Sequence, residues 1–141
     1  MVAESADTAR MVEAARADTR LLRTALILQV LLGLLWGISM LFFAQQIALG
    51  DRSGPHIEKI AFEGGAHFML VFGAIQVWRS LNQQSRIALQ LMVFLNALWA
   101  ITDLVYIPLF SLTAVDFTVK LIVNAVLAIL LFLGGRRAAL I

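Results

Sequence analysis

From Thr24 to Gly50 the chain runs 27 residues without a formal charge, including the unbroken run LILQVLLGLLW at 26–36. At ~1.5 Å of rise per residue, a helix of that length crosses the ~30 Å hydrocarbon core of a bilayer with residues to spare. Three more apolar segments follow, so spans are expected at 21–47, 60–78, 87–107 and 117–135. In lipid only helices and closed barrels satisfy the backbone, and these segments lack the strict alternation of barrel strands. The expected fold is all-α, an integral membrane four-helix bundle with a short N-terminal cytoplasmic helix.

That helix is placed over residues 1–20 and the four-transmembrane-helix domain over 21–141. Residues 3–20 are rich in Ala and free of Pro, with acids and bases interspersed, which favours helix. Their mixed charge also departs from a secretory signal, which needs a basic start and a short apolar core. The polar stretch at 50–55 reads as a turn-rich loop, 81–85 as a tight link, and Pro108 as the close of the third helix.

Composition agrees with a membrane setting. Hydrophobic residues make up 61% and charged residues 14%, against ~45–50% and ~25% in soluble domains. In water that excess would leave apolar patches that soluble monomers avoid. The formal charge of +2 and the absence of a basic stripe with interleaved aromatics give no case for nucleic acid. With no cysteine in the chain, disulfides, thiolate metal sites and cysteine nucleophiles are excluded.

Basic residues orient the spans. Arg10, Arg16, Arg20, Arg23, Arg79, Arg86, Arg136 and Arg137 fall on one side, and only Arg52, Lys59 and Lys120 on the other. The positive-inside bias then places both termini in the cytoplasm of a multi-pass protein, with a bacterial inner (plasma) membrane as the expected location.

An ionisable group at the centre of a span costs at least ~2.5–3.5 kcal/mol on insertion scales and so calls for a reason. The second span carries Glu63 and His67, one helical turn apart on one face. Asp103 lies one turn before Pro108, and Asp116, Lys120 and Asn124 form an i, i+4, i+8 stripe on the fourth span. At ~100° per residue, Asn96, Trp99, Asp103 and Tyr106 fall within about 80° on the third helix. Gln29, Trp36, Ser39, Phe43 and Gln46 fall within about 100° on the first, by the same period. Turned inward, these stripes satisfy one another and avoid lipid.

The expected result is a polar pocket open to the outside. Its ligand-binding residues are Glu63, His67, Asp103, Trp99, Asn96, Asn124, Lys120, Trp36, Phe43, Gln46 and Tyr106. Blander readings stand beside it: Glu63 paired with Lys59 at the interface, Asp103 and Tyr106 at the headgroups, Lys120 snorkelling outward. Gly33 and Gly37 fit the small-xxx-small pattern, which seats either another helix of the same bundle or a second protomer.

No HExxH, phosphate loop, nucleophile elbow or CxxC occurs. No cofactor, metal or catalytic residue is assigned, and the chain reads more as a binding protein than an enzyme. The leading expectation is a small amphipathic or lipid-like ligand in the outward-facing pocket. The alternatives are an accessory subunit of a larger membrane complex, and a proton-coupled carrier or membrane isomerase using Glu63 and His67. Partners are the lipid bilayer, the small ligand, and a homodimer or membrane-protein partner through Gly33 and Gly37.

Overall fold

The computed structural model describes residues 2–47, 54–81, 85–109 and 115–141, with side chains for 19–47, 57–81, 85–105 and 118–141. Among the described residues all regular structure is helical: α1 (Val2–Phe42), α2 (Ala44–Ile47), α3 (Gly54–Ser80), α4 (Ser85–Leu109) and α5 (Val115–Arg137). Four stretches are long and apolar enough to cross a membrane: Thr19–Phe42, Ile57–Ser80, Ser85–Val105 and Thr118–Arg137. They match the expected spans to within a few residues, except that the first ends earlier. There α1 stops at Phe42 and a bend at Phe43 leads into the single turn of α2.

Helix α1 runs without a break through the boundary placed near residue 20. The physical reason is local: neither Gly nor Pro occurs before Gly33, and the Ala-rich segment propagates helix into the apolar run. At the other end of α4, Pro108 sits inside the last turn and the helix extends one residue beyond it. The loop expected at 50–55 and the link at 81–85 lie largely outside the described residues, although Gly54 and Pro55 already belong to α3.

The long helices pack side by side in a cyclic order. Helix α1 touches α3, α3 touches α4, α4 touches α5, and α5 returns to α1. The seam between α1 and α3 is made close by glycine. A Cβ on Gly33 would lie 2.7 Å from Val71 Cγ2, and one on Gly37 would lie 3.3 Å from the Gly64 carbonyl. On the facing helix, a Cβ on Gly64 would meet the Leu41 nitrogen at 2.9 Å. The small-xxx-small pair of α1 therefore seats α3 of the same chain. At the far end, Gly134 of α5 rides against Leu22, where an added Cβ would be 2.7 Å from the Leu22 Cα.

Two kinds of interior follow along the axis. Near the end that holds the C-terminus, Leu22, Ala25, Leu26, Ala74, Val77, Leu89, Met92, Leu131 and Leu140 form an apolar core. Leu140 reaches it because the chain reverses after α5 through Ala139 at φ 54°. Farther along, the interior becomes polar. The perimeter is the reverse: Phe62 is 80% exposed, and Met69, Phe72, Ile87, Phe94 and Ile122 also face outward. Apolar outside and partly polar inside is the distribution that lipid requires.

Candidate functional site: a polar layer across the helix packing

Each helix contributes a buried polar residue to the layer above the apolar core. Gln29, His67, Asn96 and Asn124 are each at most 2% exposed, and Asp103 is 6% exposed. They come from α1, α3, α4, α5 and α4, so the layer joins all four spans.

The deepest link is an amide pair. Asn96 Nδ2 donates to Gln29 Oε1 at 2.8 Å and to the Met92 carbonyl at 2.8 Å. Helices α1 and α4 are not neighbours in the cyclic order, so this hydrogen bond reaches across the middle. One turn outward, His67 of α3 stands between two indoles. Its ring centroid is 5.6 Å from Trp36 of α1 and 4.6 Å from Trp99 of α4, both in tilted arrangements. These separations fall in the range of favourable aromatic contacts.

A charged pair closes the far side. Lys120 Nζ of α5 donates to Glu63 Oε2 of α3 at 3.5 Å, with the side chains 18% and 32% exposed. Helices α3 and α5 are the other non-adjacent pair, so both diagonals are bridged by polar side chains at different depths. Lys120 also acts electrostatically on His67 and Asp103, and Glu63 on Asp103. The four ionisable groups therefore share one region.

Several buried polar atoms in that region have no hydrogen-bond partner: His67 Nε2, Asp103 Oδ2, Asn124 Nδ2 and Asn96 Oδ1. Buried polar groups are normally paired, so each such atom asks for an explanation. Together they present acceptors, a donor and an imidazole nitrogen that can be either. The neighbouring Trp36 and Trp99 add apolar wall. Among the described residues no three His, Asp or Glu side chains gather as a metal-binding group.

Most residues expected at the site are together here: Glu63, His67, Asp103, Asn96, Asn124, Lys120, Trp36 and Trp99. Phe43 and Gln46 are not; both are exposed, Phe43 by 51%. The buried positions of α1, Leu22, Ala25, Leu26, Gln29, Gly33 and Gly37, fall within about 120° at ~100° per residue. Phe43 and Gln46 follow the end of α1 at Phe42, and the bend at Phe43 breaks the period that placed them on its inward stripe. The inward arc holds Gln29 together with both glycines. Tyr106 and Asp116 lie outside the residues whose side chains are described.

Two arrangements differ from simple expectation. Glu63 pairs with Lys120 and not with Lys59, and His67 meets tryptophans. The Gln29–Asn96 pair was signalled only indirectly: each amide shares a stripe with the tryptophan that later flanks His67. Comparison with known protein families, curated proteins and solved structures finds no match to this chain.

Proposed function

We propose that this chain is an integral membrane four-helix bundle that binds a small amphipathic molecule in the half of the bundle facing away from the cytoplasm. In this reading both termini are cytoplasmic, residues 1–20 lead into a bacterial inner membrane, and Lys59 and Lys120 mark the outer side. One observation carries it. His67 Nε2, Asp103 Oδ2 and Asn124 Nδ2, from three helices, are buried with their hydrogen-bonding capacity unspent.

The ligand head suited to those atoms carries a hydroxyl or amine for Asp103 and an acceptor for Asn124. Its body packs against Trp36 and Trp99. The Glu63–Lys120 pair sits at the mouth, where it selects against a strongly charged head of either sign.

The test is native mass spectrometry of the gently solubilised protein beside His67→Ala. The wild type is expected to retain a small non-phospholipid molecule of defined mass, and His67→Ala to lose it while keeping the same helicity. Retention of phospholipid alone, or equal retention by both proteins, overturns the proposal.

A further inference from the structure

A separate surface feature involves none of the residues of the polar layer. Beyond the glycine seam, α1 and α3 border an outward-facing groove of about 210 Å³, lined by Leu26, Ile27, Val30, Leu31, Ala74, Ile75 and Trp78. Its lining exposes only apolar surface. For scale, a cavity of ~150 Å³ accommodates benzene in a protein interior, so the groove takes a segment of one hydrocarbon chain.

The rim argues against a second helix as the occupant. Helix pairs in membranes approach through small residues, and only Ala74 is small here; Ile27, Leu31, Ile75 and Trp78 would hold a helix backbone away. An acyl chain is thinner and has no backbone to satisfy.

The end of the groove supplies the other half of a lipid site. Arg23, one turn before Ile27 on α1, stands over the Trp78 ring at 5.4 Å. Arg79, one turn after Ile75, is also exposed. Arg23 lies one turn inside Thr19, and Trp78 and Arg79 lie within two residues of Ser80, at the ends of their spans, the level where indoles and basic side chains meet headgroups. Cationic charge at the mouth of an apolar groove complements an anionic head on an acyl tail.

We infer that the α1–α3 groove, with Arg23 at its mouth, is a binding site for one anionic phospholipid. The acyl chain lies against Ile27, Leu31 and Ile75, and the phosphate meets the Arg23 guanidinium. That guanidinium is held in place by stacking on Trp78.

The experiment offers the full-length protein in mild detergent an equimolar mixture of phosphatidylglycerol and phosphatidylcholine with identical acyl chains, read by native mass spectrometry. The wild type is expected to retain one phosphatidylglycerol in preference. Arg23→Ala should reduce that preference about fivefold, the effect of one basic side chain near a headgroup. Ile75→Trp, which fills the groove, should lower retention of both lipids. Arg86→Ala, on α4 across the helix ring from α1, should leave the preference unchanged. Equal retention of the two lipids by the wild type overturns the site. So does an Arg86→Ala loss as large as that of Arg23→Ala, or an Ile75→Trp protein that holds lipid as the wild type does.

Discussion

Asn96 makes two hydrogen bonds through one nitrogen, to Gln29 and to its own helix at Met92, while its Oδ1 is buried without a partner, so the amide in the middle of the span is satisfied only in part. The backbone contact survives any change at position 29, whereas the cross-helix contact depends on a partner 67 residues away in sequence. Sequence periodicity could place Asn96 and Gln29 on inward stripes. It could not pair them, because the pairing is set by the axial register of two helices that share no sequence-local signal. The same holds for Glu63, whose neighbour Lys59 on the same helix is the obvious partner by spacing. Its actual partner, Lys120, comes from α5. A double-mutant cycle on Gln29→Leu and Asn96→Leu, followed by detergent unfolding, should show each single variant destabilised. The pair should couple by about 0.6–1.7 kcal/mol, the range of hydrogen bonds between membrane helices. The double variant should recover part of the loss, since it leaves neither amide buried alone. Strict additivity would mean that the two side chains do not meet.

Among the elements, the boundaries were the most legible feature, since they follow from where charge and turn residues interrupt apolar runs. Where they failed, the cause was local. No Gly or Pro announces the bend at Phe43 or separates the lead-in from the first span, and Pro108 is accommodated in the last turn of α4. The adjacent glycines of α3 show what composition alone cannot decide. Gly64 faces the α1 backbone and Gly65 faces open space, a difference that two adjacent glycines in a sequence do not announce. Gly64→Ala must push Leu41 and Gly37 backbone atoms away, and should destabilise the protein by ~1–3 kcal/mol, as overpacking does. Gly65→Ala meets nothing and should be neutral or stabilising by up to ~1 kcal/mol through helix propensity. Unfolding midpoints of the two variants check this, and a larger loss at Gly65 than at Gly64 would invert the assigned α1–α3 face.

For the whole molecule, the apolar perimeter, the apolar core near the C-terminus and the polar layer beyond it form one consistent arrangement. The apolar outside suits lipid, and the polar groups of four spans converge inside, some paired with one another and some without a partner. Both helix diagonals are spanned by side chains, Gln29 to Asn96 and Glu63 to Lys120, with His67 between Trp36 and Trp99 at a depth between them. Everything proposed about a ligand depends on that convergence. Because the chain contains no cysteine, it can be probed directly with a single introduced pair and a short bifunctional thiol-reactive cross-linker, a bis-methanethiosulfonate, in membranes. Gln29→Cys with Asn96→Cys should cross-link within one chain, whereas Gln29→Cys with Phe94→Cys, on the outward face of α4, should not. Cross-linking of the second pair in preference to the first would turn α4 around and leave the polar layer without a centre.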